Sequence, residues 1–90
     1  MVTAFVLIHC HGRDPHEVAA ELVDLDGVTE LHLVAGEYDM VCVVRVADNQ
    51  RLSQLITKEV VKAAGVARTK TLFSLESLSK FDLDSMFGTP

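Results

Sequence analysis

The stretch Val34-Ala-Gly-Glu-Tyr-Asp-Met-Val-Cys-Val-Val-Arg-Val46 sets a turn, Gly36 to Asp39, directly before an almost unbroken apolar run. Side chains alternate across an extended chain, so Met40, Cys42 and Val44 face one way and Val41 and Val43 the other. A strand greasy on both faces belongs in the middle of a sheet. The N-terminal run Val2 to His9 reads the same way, with Ala4, Val6 and Ile8 set against Phe5 and Leu7. These two strands are expected side by side at the centre.

The segments between them supply helices and edges. Asp14 is a good N-cap, Pro15 gives up no amide at the first helical position, and Glu17 stands where a capping box places its acid. Val18, Leu22 and Leu25 then recur at helical spacing, and Gly27 closes the helix. Val28 to about Ala35 reads as a second strand, with Leu31, Leu33 and Ala35 alternating with Glu30, His32 and Val34. Asp48 caps a second helix whose apolar stripe is Leu52, Leu55, Ile56, Val60 and Ala63, and Gly65 ends it. Val66 to about Leu78 is the last strand, with Thr69, Thr71, Phe73 and Leu75 on one face and Arg68, Lys70, Leu72, Ser74 and Glu76 on the other. Its mixed faces, like those of the second strand, suit a sheet edge.

The order strand, helix, strand, strand, helix, strand, with the same Gly-Val step at Gly27-Val28 and Gly65-Val66, predicts an α+β, ferredoxin-like sandwich of two tandem βαβ units. Two helices cover only one face of its antiparallel sheet. Leaving about five apolar side chains wet on the other face would forfeit about 1.5 to 3 kcal/mol each, comparable with the whole stability of a small domain. The expectation is a homodimer joined sheet to sheet. Residues 1–79 form the body and 80–90 a tail, in which Phe81, Leu83, Met86 and Phe87 are read as docking onto the body or a partner subunit, the alternative being a frayed end.

Charge and composition exclude several functions. With 8 Lys and Arg against 13 Asp and Glu, a formal charge of −5, the surface repels a phosphate backbone, and direct nucleic-acid binding is not expected. The run Val2 to Ile8 has no basic leader and no small-residue cleavage site after it, and nothing approaches a membrane span, so the chain reads as cytoplasmic. Cys10 and Cys42 both fall in predicted strands as reduced, packed thiols.

The chemistry-bearing residues give a short account. His9 and His11 share a strand face while Cys10 points away, and no second ligand pair completes a zinc site, so no metal is expected. The serines lack a His-acid pattern or a nucleophile elbow, neither cysteine sits at a helix N-terminus, and no Gly-rich phosphate loop exists. No catalytic residue and no cofactor are assigned. Gly36-Glu37-Tyr38-Asp39 stands apart. A hairpin corner accounts for Gly36 and part of Asp39 but poorly for Tyr38. A ring beside a carboxylate at a sheet rim can take a small zwitterion, the carboxylate holding the ammonium and turn amides the ligand carboxylate. Both readings stay open on residue type alone.

The two motifs Gly36-Glu-Tyr-Asp-Met-Val-Cys-Val-Val-Arg-Val46 and Gly65-Val-Ala-Arg-Thr-Lys-Thr-Leu-Phe-Ser-Leu75 together resemble the C-terminal effector-binding (RAM) domain of the Lrp/AsnC, or feast/famine, regulators. The resemblance covers residues 2 to about 78. It implies a sheet-to-sheet dimer that assembles into tetramers or octamers and binds an amino-acid effector in a cleft between dimers. Carried onto this chain, the ligand residues are Gly36, Tyr38 and Asp39, with Thr69 and Thr71 as further hydroxyl contributors, and Asp39 holds the ammonium. Most members begin with a helix-turn-helix, whereas Met1 here leads directly into the first strand. The expectation is an effector domain without its own DNA-binding domain, partnered by a helix-turn-helix-bearing regulator. Two alternatives remain: a small enzyme of the dimeric α+β barrel kind, such as a cofactor-free monooxygenase or isomerase, and a purely structural oligomerisation module.

Overall fold

The computed structural model describes residues 1–80. Its elements are β1 (Val2–Cys10), α1 (Pro15–Leu22), β2 (Val28–Leu33), β3 (Met40–Val46), α2 (Asn49–Gln54) continuing as a π-helical segment (Leu55–Val60), and β4 (Val66–Phe73). The four strands form one sheet in the order β2-β3-β1-β4, every neighbouring pair antiparallel. The two strands that are apolar on both faces do lie at the centre, paired from Val2 opposite Val46 to Ile8 opposite Met40.

One face of this central pair is sealed by the helices. Ala4, Val6, Ile8, Met40, Cys42 and Val44 are fully buried, and Val18, Leu22, Leu52, Leu55 and Val60 pack over them. The other face carries Phe5, Leu7 and Val41, which are only partly buried, with the exposed edge residue Leu72 beside them. That is the face for which the sequence demands a cover.

Both helices start as their caps dictate. Asp14 Oδ1 accepts from the His16 amide at 2.9 Å, and Asp48 Oδ1 from the Arg51 amide at 2.8 Å. Glu17 makes no return bond to its cap; its carboxylate lies 3.5 Å from Arg13 Nε instead. The second helix departs from the expected periodicity. From Leu55 to Val60 it widens, and the Val61 amide bonds back to the Ile56 carbonyl at 2.9 Å. The wider turn brings Leu55 and Val60 both into the core, five positions apart, and leaves Ile56 only partly buried. Ala63 packs against the core from beyond the helix end.

Two strands are shorter than their composition suggests. β2 stops at Leu33, because the next amide, Val34, already closes the hairpin on the Asp39 carbonyl. β4 stops at Phe73: the Ser74 amide makes one more bond, to the Thr3 carbonyl, and Leu75 beyond it is 98% exposed. The proposed docking of Phe81, Leu83, Met86 and Phe87 concerns side chains outside the described residues.

The two halves repeat one locking device. Arg13 grips Glu21 through two bonds, at 2.9 and 2.6 Å, and also donates to the Ala64 carbonyl of the second half. Arg51 grips Glu59 at 2.9 Å and donates to the Asp26 carbonyl of the first half. Each arginine therefore ties its own helix to the loop just ahead of the other half's Gly-Val step. Those glycines are needed for space as well as for their positive φ: a Cβ on Gly27 would lie 2.9 Å from Val46 Cγ1, and one on Gly65 2.7 Å from Val18 Cγ2.

Gly65→Ala should therefore cost about 1 to 3 kcal/mol in urea denaturation, from strained backbone and overpacking together. An unchanged midpoint would show that the loop moves aside freely. A second expectation concerns acid. The Asp14 carboxyl is lowered chiefly by the His16 amide, and that of Glu21 chiefly by its bond from Arg13. A carboxylate favoured in the folded state contributes stability above its unfolded value of about 4 and loses it as the pH falls through the lower folded value. Glu21→Gln should accordingly flatten the acid limb of the stability curve between about pH 5 and pH 2, and an acid limb identical to wild type would remove Glu21 from the account.

Candidate functional site

The Gly36–Asp39 turn is fastened at its far end to two strands at once. The Asp39 carbonyl accepts from Val34, while its amide donates to the Ile8 carbonyl at 2.9 Å, so the hairpin between β2 and β3 is pinned to the end of β1. Gly36 takes a φ of +151° with open space around it, a conformation that a side chain disfavours for backbone reasons alone.

The Asp39 side chain extends the same fastening. Its Oδ2 accepts from the Cys10 amide at 2.7 Å and lies 3.2 Å from His9 Nδ1. The imidazole nitrogen is buried and lacks hydrogen-bond geometry towards any partner among the described residues, so the contact is one of proximity. A carboxylate at the mouth of β3 thus has a structural reason to be there: it satisfies an amide that β1 leaves over where its register with β4 shifts, between His9 and Cys10.

Next to it stands the phenol. Arg68 places its guanidinium carbon 5.8 Å from the centroid of the Tyr38 ring, within the range of a cation–π contact. Arg68 is the cross-strand partner of His9. The rim therefore runs from the Asp39 carboxylate past His9 to the Arg68 guanidinium, with the half-buried Tyr38 ring against the cation. Among the described residues Arg68 makes no ion pair.

Of the residues expected to form a site, Tyr38 and Asp39 are members of this rim, and Gly36 opens the turn that carries them. Thr69 and Thr71 are placed otherwise. They pair with Ile8 and Val6, whose side chains lie on the helix-covered face, whereas Arg68 pairs with His9 and by alternation belongs to the open face. The residues that motif reading passed over are His9, the Cys10 amide and Arg68. Arg68 was signalled only by its place directly before Thr69; its meeting with Tyr38 depends on the pairing of β4 with β1, which sets it opposite His9.

The cysteines are unsuited to chemistry. Burial pushes the Cys42 thiol up to about 11, and burial followed by the neighbouring Asp39 charge raises that of Cys10. Both are free thiols. Among the described residues no group of His, Cys, Asp and Glu is arranged to hold a metal ion, and no helix there is long and apolar enough to cross a membrane. Among the described residues a concavity lies elsewhere, an open apolar groove of about 380 Å³ between α1 and β2 lined by His16, Ala19, Ala20, Val23, Leu31 and Leu33. It offers one imidazole and no carboxylate or guanidinium, which makes it a poorer zwitterion site than the rim.

Comparison with known proteins places this geometry. Residues 3–83 match the Lrp/AsnC ligand binding domain. The chain is 33% identical over 81 residues to an uncharacterised HTH-type transcriptional regulator of Pyrococcus furiosus, an alignment that covers 87% of this chain and 54% of the relative. It thus spans about half the length of the curated relatives it matches. Among solved structures, TTHA0845 from Thermus thermophilus superimposes with a TM-score of 0.81 at 34% identity, over 89% of this chain and 100% of that one. The feast or famine regulatory protein Rv3291c from M. tuberculosis, complexed with L-methionine, superimposes with a TM-score of 0.76 at 30% identity, over 89% of this chain and 54% of that one.

The fastening role of Asp39 predicts that Asp39→Ala lowers stability by about 1 kcal/mol, the cost of an unsatisfied and partly buried amide discounted for solvent access. Hydrogen exchange at the Cys10 amide should accelerate in step, and protection equal to wild type would show that the carboxylate is dispensable there. Ellman's reagent at neutral pH should react slowly with Cys10 and hardly at all with Cys42 in the native protein, and rapidly with both in denaturant.

Proposed function

The chain belongs to the Lrp/AsnC ligand-binding domain family, and from that premise we propose that it is an effector-binding regulatory domain whose ligand is an amino acid or similar small zwitterion bound at the rim of the open sheet face. The family and its relatives are transcriptional regulators, so an enzymatic reading has no place here. The observation that supports an amino acid most directly is the relative complexed with L-methionine, at 30% identity over 89% of this chain. In this chain Gly36, Tyr38 and Asp39 form the binding turn. Thr69 and Thr71 lie on β4, on the helix-covered face, and reach the ligand only where a second dimer closes over the sheet edge.

The rest of the proposal follows from unburied surface. Phe5, Leu7, Val41 and Leu72 occupy the open face, and pairing two such sheets removes them from water in a homodimer. Dimers associate further into tetramers or octamers, with residues 1–79 as the assembling body and 80–90 as a tail. An effector that binds between dimers shifts this assembly by its differential affinity for the two states. At a net charge of −5 this region makes no direct nucleic-acid contact. DNA binding would come from a helix-turn-helix outside residues 1–90, in the same chain or a partner, and the site of action is the cytoplasm.

A thermal-shift screen against the twenty proteinogenic amino acids, followed by light-scattering sizing with and without each stabilising one, tests the proposal. At least one amino acid should raise the melting temperature at millimolar concentration and change the oligomer distribution. Stabilisation by none of them would end the effector reading, and a strictly monomeric protein at high concentration would end the sheet-to-sheet dimer.

A further inference from the structure

We infer that Arg68 is the carboxylate anchor of the effector site, held over the Tyr38 ring to receive the acid group of the incoming amino acid; this deepens the effector reading and rests on it.

The argument starts from what each charged group at the rim already does. Asp39 is engaged, since its Oδ2 accepts from the Cys10 amide at 2.7 Å and faces His9 Nδ1 at 3.2 Å. The arginines at the starts of the two helices are engaged as well, Arg13 with Glu21 and the Ala64 carbonyl, Arg51 with Glu59 and the Asp26 carbonyl. Arg68 differs from both. It is exposed, makes no ion pair among the described residues, and has one described contact, the face of Tyr38 at 5.8 Å.

A cation laid on an aromatic face is oriented without being neutralised. Stacking occupies the plane of the guanidinium and leaves its edge N–H groups free to form the paired bonds that fit a carboxylate. The ring also restricts a side chain that would otherwise lose considerable rotamer entropy on binding. Arg68 and Asp39 flank His9 on opposite sides, one as its cross-strand partner and the other at 3.2 Å, so the two charges of a zwitterion find opposite charges across a single imidazole. An amine without an acid, or an acid without an amine, satisfies only one end.

The test titrates the twenty proteinogenic amino acids into wild type and Arg68→Gln by calorimetry, then repeats the titration of the tightest binder with its decarboxylated amine. Arg68→Gln alters an exposed side chain, and its melting temperature without ligand should match wild type. Loss of a charge-assisted carboxylate contact should weaken the amino acid roughly tenfold to a hundredfold. The decarboxylated amine should bind wild type and Arg68→Gln equally, because it lacks the group that Arg68 holds. If Arg68 merely braced Tyr38, the substitution would weaken the amine as much as the amino acid, and that result overturns the assignment. Equal affinity of wild type and variant for the amino acid also overturns it, while leaving the effector reading intact. Binding of none of the twenty by wild type removes the effector reading and this assignment with it.

Discussion

Burial of one face of β1 and β3 is the constraint on which the rest of the molecule depends. Ala4, Val6, Ile8, Met40, Cys42 and Val44 are removed from water entirely, and only the two helices are available to do it. The helices must therefore lie close to the sheet, and the loops that return from them have little room. Gly27 and Gly65 sit where any side chain would run into Val46 or Val18. The Arg13 and Arg51 clamps then tie each helix to the opposite loop, so neither half can lift away without breaking bonds in both. What looks like two separate βαβ units is one cooperative core with reciprocal fastenings.

The same constraint explains which parts of the fold were legible in the sequence. Strand order could be read because apolar residues on both faces suit only a central strand. Helix starts could be read because Asp14 and Asp48 act within three residues of themselves. Strand ends could not, since β2 ends where the Val34 amide closes on the Asp39 carbonyl, a contact with a residue on the far side of the turn. The widened turn from Leu55 to Val60 was hidden for another reason. Leu52, Leu55, Ile56 and Val60 satisfy an ordinary helical stripe, and only packing decides that Val60 rather than Ile56 is sealed in the core. The candidate site divided along the same line. Gly36, Tyr38 and Asp39 fall in one four-residue turn and announced themselves, whereas Arg68 reaches Tyr38 only because β4 pairs with β1 and sets it opposite His9.

Asp39 shows why a motif residue cannot be assigned one role. Its backbone closes the hairpin and joins β1, and its carboxylate satisfies the Cys10 amide. A chain that bound no ligand would still have use for that aspartate. Damage from its removal would include a loosened strand end whether or not a ligand contact were lost with it. The electrostatics of the rim separate better at Arg68, which supports no backbone group and whose charge has no other described partner.

Net charge taken alone argues against an anionic group approaching this surface at all, since the chain carries −5. Magnitudes decide otherwise. At physiological ionic strength charges are screened over about 8 Å, so an approaching acid senses the groups within roughly that reach and little of the molecule's total. Within the open face near the rim, β4 contributes Arg68 and Lys70. Asp39 lies beyond His9 and has its Oδ2 engaged by an amide that partly compensates it. The acidic residues of α1 and its following loop, Glu17, Glu21, Asp24 and Asp26, belong to the helical layer behind the sheet. Charge is therefore distributed unevenly: the α1 side carries Glu17, Glu21, Asp24 and Asp26, while β4 at the open face offers Arg68 and Lys70, the cations that a small carboxylate would meet there.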